Sequence, residues 1–218
     1  MVAHHVRRYV LPRLGVSGRV RTRAYETTSV TTQGSIGPRG RRAWPAAAAT
    51  LVLFVAVFLA IFAIGRAVTP DYTTGLFGQH LEDAVRLKAQ LGTALLGLAL
   101  IQLALALWMY GRLPGVARAP RRVRISHRVI GALAFLLSVP IAVHCITTYG
   151  IELTPTRAAV HALSGCFFYG AFAAKVLVVQ WRETPKWLLP VLGGCLVVAV
   201  AVSWYAAALW YFNGFALP

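Results

Sequence analysis

The chain has 218 residues, 58% of them hydrophobic, and its 22 Lys and Arg against 6 Asp and Glu give a net charge of +16. A mean hydropathy of +0.65, gathered into recurring apolar runs of about twenty residues, excludes an ordinary soluble domain and points to membrane spans. The charge does not point to nucleic-acid binding: nine arginines fall in residues 1–43, and most of the others sit in alternate connections between apolar runs, where they mark one side of a bilayer and meet anionic lipid headgroups.

Residues 1–43 are rich in Arg, Gly, Ser and Thr and show no helical period, which predicts a disordered basic tail. His4 and His5 lie there and receive no role. Residues 44–218 are expected to form one membrane domain of five spans, at about 45–65, 89–110, 127–149, 158–180 and 187–212, each long enough to cross roughly 30 Å of hydrocarbon. The first span carries no ionisable residue and is expected to face lipid all round as a peripheral anchor. It begins too late and runs too long for a cleavable signal peptide. The connection 66–88 balances Arg66, Arg86 and Lys88 against Asp71, Glu82 and Asp83, carries His80, and can start the second helix from Leu81. The second span holds Gln90 and Gln102, polar groups that should face other helices.

Six arginines, Arg112, Arg118, Arg121, Arg122, Arg124 and Arg128, flank the connection between the second and third spans, and Arg182 and Lys186 sit in the one between the fourth and fifth. The positive-inside rule then places the N-terminus in the cytoplasm and the C-terminus outside the cell membrane. Aromatic belts agree: Trp44, Trp108, Tyr110, Trp181 and Trp187 fall at inner ends, Tyr149, Trp210 and Tyr211 at outer ends. The architecture expected is all-α and integral to the membrane, with helices two to five forming a four-helix bundle.

The third span carries His127 at its inner end, His144 near its outer end and Pro140 between them. The fourth carries His161 near its outer end and Lys175 towards the inner one. An imidazole in hydrocarbon is costly and is usually functional. His144 and His161 stand on consecutive antiparallel spans joined by one short outer loop, at depths matched within about one helical turn. Two imidazoles so placed can hold a haem iron from both sides, and Ser164 and Gly165 beside His161 leave room for a flat ring. Phe168 could stack on the ring edge, and Arg157, Arg86 or Lys88 could pair with propionates. The alternative is that the histidines merely hydrogen-bond between helices. His127 has no histidine at its own depth and is expected not to be an axial ligand. Lys175 does match it; an unusual lysine–histidine haem is one reading, and snorkelling to the interface or pairing with lipid phosphate is the preferred one, while His127 could instead touch a quinone. His80 reads as a solvated loop residue.

Cys145, Cys166 and Cys195 form no C-x-x-C pattern and read as small packing residues. No phosphate-binding loop, activated nucleophile or carboxylate pair is present in the sequence. All six acidic residues lie outside the spans, which argues against a proton-coupled transporter.

The segment HRVIGALAFLLSVPIAVHC resembles the H-R-x-x-G-x-x-A-F…H stretch of small b-type membrane cytochromes and ferric-reductase-like domains. The stretch from Leu87 to Phe212, including WMYGRLPG, HCITTYG and GCFFYGAFAAKVLV, is also similar to a family of actinobacterial multi-pass membrane proteins that brings no established activity. The first resemblance implies a haem-carrying helical core moving single electrons, and carries over only to His127, His144 and His161. Such cytochromes usually show four membrane histidines and two haems, where this chain has three. The function expected is electron transfer through haem b held by His144 and His161, with Gly165 lining the slot. The chain would act as a relay or anchor for an extracytoplasmic redox protein rather than as an independent enzyme. The competing expectations are a cofactor-free structural subunit of a membrane complex and a small transporter.

Overall fold

The computed structural model describes residues 43–216 except 118, 182 and 183; the expected disordered tail lies outside the described residues. Among the described residues, five helices are long and apolar enough to cross a membrane. They are α1 (Ala43–Ala67), α2 (Leu81–Met109), α3 (Arg121–Tyr149), α4 (Thr156–Gln180) and α5 (Leu188–Trp204). The last continues through a π-helical turn (Tyr205–Leu209) into a final helical turn (Trp210–Phe212). The protein is an all-helical membrane protein.

α2 and α3 each have 29 residues, so each is about 44 Å long, well beyond the hydrocarbon. The excess is polar: Leu81–Lys88 begins α2 and Arg121–Ser126 begins α3, helical turns rich in charged residues. α3 runs unbroken through Pro140. The end of the bundle holding the α2–α3 and α4–α5 connections is called the basic end below, and the other the distal end.

α2 packs between α3 and α5, and α5 between α2 and α4. The remaining side, between α3 and α4, is bridged by long side chains instead of a close backbone approach. Phe135 of α3 stacks on Phe172 of α4 with ring centroids 4.1 Å apart, and the Tyr169 hydroxyl donates to Ser138 Oγ at 3.0 Å. Helices α2 to α5 thus form the four-helix bundle, with one seam wider than the rest.

α4 is the most enclosed helix. Ala171 and Ala174 are 0% exposed, and α4 packs against both α5 and α1. The contact with α1, closest at Gly170, corrects the expectation that the first span faces lipid all round. Ala46 and Thr50 are buried, Phe54 meets Phe167 edge-on at 5.1 Å, and the Phe54 carbonyl lies 2.8 Å from where a Gly170 Cβ would stand. An apolar helix needs no polar group to dock in a membrane: van der Waals contact with a small-residue face is enough. At the distal end, the Ile151 amide donates to the Gly65 carbonyl (2.8 Å), and Arg66 donates to the Ile151 carbonyl (3.0 Å). α1 is therefore fastened outside the four-helix ring along α4 and at the α3–α4 connection.

Candidate functional site

The polar interior of the distal end gathers around His144 and His161. His144 is 2% exposed. Its Nε2 lies 3.0 Å from the carbonyl of Thr74, in the loop between α1 and α2, and Nδ1 lies 3.3 Å from the hydroxyl of Thr148, one turn on along α3. With Nε2–H donating to the carbonyl, Nδ1 accepts from Thr148, and both ring nitrogens are satisfied. Tyr149 stands beside the ring, and Lys88 of α2 lies over the Tyr149 ring at 4.1 Å.

The loop that His144 holds is itself ordered locally. Asp71 accepts from the Thr73 amide and hydroxyl and from the Thr74 hydroxyl; these bonds, the Thr73 hydroxyl's first among them, hold its carboxyl below the ordinary carboxylate range. His80 reaches the Thr73 carbonyl at 3.2 Å and is exposed, as the sequence led us to expect of a loop histidine.

His161 is held differently. Its Nδ1 lies 3.2 Å from the Ser203 carbonyl of α5, and the hydroxyls of Ser164 and Ser203 meet at 2.7 Å below it. Ser203 directly precedes the end of α5, where the chain passes into the π-helical turn. Residues in such a turn abandon the regular i to i−4 ladder, so nearby carbonyls can accept from side chains. Arg157 uses a second one, donating to the Ala206 carbonyl at 3.0 Å while its guanidinium lies 3.7 Å from the centre of the Trp210 ring. The π-turn therefore seats two side chains of α4. With Nδ1–H committed to Ser203, the His161 Nε2 keeps its lone pair, and the ring's free edge meets the Cys145 thiol of α3.

The two histidines thus share one end of the bundle but no partner: one is turned to the α1–α2 loop, the other to α5, and Cys145 occupies the position next to His161 on α3. A methyl group at Gly165 would meet nothing within 4 Å, so this face of α4 is open. Phe168 packs against Tyr169 and Phe172. Of the expected propionate partners, Arg157 and Lys88 are engaged with Trp210 and Tyr149. Sequence reasoning missed Thr74, Cys145, Thr148 and Ser203. Only Thr148 carried a readable signal, its place four residues after His144 on the same helix face.

At the basic end, His127 has its Nδ1 buried without a hydrogen-bond partner, while its main-chain carbonyl accepts from Gln102 of α2 at 2.6 Å. All three cysteines are free. Among the described residues no three His, Cys, Asp or Glu side chains converge as a metal site. An apolar groove of about 430 Å³ between α4 and α5 is lined by Ser164, Phe167, Gly194, Cys195, Val198 and Val202, and touches neither distal histidine.

Fold and site define a multi-pass membrane protein with a polar, histidine-bearing interior. Residues 46–218 match the family described as Family of unknown function (DUF6529), and the chain belongs to that family. No curated protein and no solved structure matches it.

Proposed function

We propose that the chain is a membrane-embedded electron relay that carries one b-type haem in the seam between α3 and α4, with its basic end in the cytoplasm and its distal end outside. The observation that carries this reading is the setting of His161. Its Nδ1 donates to a main-chain carbonyl, so its Nε2 is left with a lone pair, the second-shell arrangement of a metal-ligating histidine. The wide α3–α4 seam and the open face at Gly165 support it.

The donor set fits the group by type, and the two ligands differ in readiness. His161 needs no change of partner on Nδ1. His144 serves only if its Nε2 leaves the Thr74 carbonyl; Thr148 can then take the Nδ1 proton and fix the tautomer that exposes Nε2. Cys145 has to yield its place beside His161. A b-type haem supplies reversible one-electron chemistry at its iron. The protein's part is to hold the two imidazoles, keep water out with the Phe135, Tyr169 and Phe172 cluster, and present Arg86 and Lys88 at the distal rim. With both strong positions filled by imidazole no site stays open for substrate, so the chain would relay electrons to an extracytoplasmic redox protein, with a quinone as a further exchange partner.

One observation favours a second reading, a cofactor-free structural subunit. His144 already has both ring nitrogens satisfied and pins the outer loop through Thr74. The reduced-minus-oxidised absorption spectrum of the purified full chain, made with ample haem, separates the two: sharp low-spin haem b bands support the relay, and a colourless protein supports the structural subunit.

A further inference from the structure

The basic end of the α3–α4 seam holds two cation-forming groups that the haem reading does not use. Lys175 lies five residues before the end of α4, about 8 Å inside it, and His127 lies six residues after the start of α3, about 9 Å inside. The two are at one depth on facing helices. Lys175 stands over Gly193 of α5, with Nζ 3.9 Å from the place of a Cβ there. Among the described residues it has neither a carboxylate nor a hydrogen-bond acceptor. His127 Nδ1 is buried and unpartnered, which costs the desolvation of that group in full. Gln102 holds the His127 carbonyl and lies against Gly131, so this part of α3 is braced from the α2 side.

We propose that Lys175 and His127 form a headgroup site for an anionic phospholipid, gripping its phosphodiester at the basic end of the α3–α4 seam. A charge within a span calls for a counter-charge, and α3, α4 and α5 carry no acidic residue. A phosphodiester accepts from both the ammonium and the Nδ1–H, and it carries the negative charge that a neutral carbonyl ligand lacks. The depth suits a lipid: long basic side chains reach the phosphate layer from about this level. α3 and α4 have no close backbone approach, and the stacked Phe135 and Phe172 rings close the seam deeper in. Exposed Arg121 and Arg124 lie within two turns of His127 at the start of α3 and raise the local concentration of anionic lipid. The site is independent of haem and stands whether or not that reading does.

The test is native mass spectrometry of the full-length protein released from nanodiscs of phosphatidylglycerol or phosphatidylcholine, with inorganic phosphate as a separate arm. The wild type should keep one phosphatidylglycerol through activation that strips phosphatidylcholine, and millimolar phosphate should neither bind nor displace it. Lys175→Gln should weaken retention by about tenfold or more, and His127→Ala by several-fold, the losses expected of charge-assisted hydrogen bonds. Lys175→Arg should retain the lipid, and Arg112→Gln, exposed in the α2–α3 connection, should match the wild type. If Lys175→Gln does not insert, His127→Ala and Lys175→Arg still decide the matter. Equal retention of both lipids, unchanged retention in His127→Ala, or displacement by phosphate alone would overturn the proposal.

Discussion

Replacing Gly170 by alanine tests the docking of α1 most sharply. The new Cβ would stand 2.8 Å from the Phe54 carbonyl oxygen and 3.1 and 3.2 Å from two carbons of its ring. The ring can turn, but the carbonyl belongs to the α1 backbone, about 0.6 Å short of ordinary contact at 3.4 Å, so α1 itself must move. Overpacking of this kind costs about 1–3 kcal/mol, while Gly→Ala within a helix returns about 0.8–1 kcal/mol. The proper reference is Gly97→Ala on α2, where a Cβ meets nothing within 4 Å and only the helical gain is left. The two variants should therefore differ by about 1–3 kcal/mol in reversible unfolding from mild detergent into dodecyl sulfate, followed by tryptophan emission. Equal midpoints would show that the Phe54 backbone is not seated on Gly170, and with it the description of α1 as a fastened fifth helix would fail.

Three further outcomes are expected. Arg157→Ala removes one hydrogen bond to Ala206 and the contact with Trp210, so it should lower stability by about 1–2 kcal/mol and change Trp210 emission; an unaltered midpoint would deny the π-turn its role as a seat for α4. A Cβ at Gly165 meets nothing within 4 Å, so Gly165→Leu should not lower the unfolding midpoint and should gain up to about 0.8 kcal/mol of helix propensity while haem binding is lost; full haem content in this variant would place the group elsewhere. A reporter fused at the C-terminus should be active only outside the cytoplasm and one inserted in residues 112–125 only inside; the reverse would put the distal histidines in the inner leaflet.

The spans were legible because hydropathy over twenty residues is a sum, insensitive to any one side chain. Their ends were less so: the start of α2 at Leu81 was expected, but α3 begins at Arg121, where polar residues continue the helix beyond the apolar window. The docking of α1 left no trace, since an apolar face packed on Gly170 reads the same as one facing lipid. Depth along a helix follows from counting residues, which is why His144 and His161 could be placed at one end of the bundle. Rotation about the helix axis does not follow, because one residue is worth about 100° and the packing of α2, α4 and the outer loop decides it. That step put Cys145, rather than His144, next to His161 and turned His144 to Thr74. The π-helical turn at Tyr205–Leu209 has no sequence mark, yet it is what frees the carbonyls that seat His161 and Arg157.

The measurement closest to the central claim is the reduced-minus-oxidised spectrum of the full-length protein beside His161→Ala and His144→Ala. The wild type should show the narrow bands of six-coordinate haem b, and His161→Ala should lose them while the protein still inserts, since insertion depends on hydrophobicity and not on the metal. His144→Ala should also lose the six-coordinate signature. A colourless wild type, or bands that persist unchanged in His161→Ala, would contradict the account.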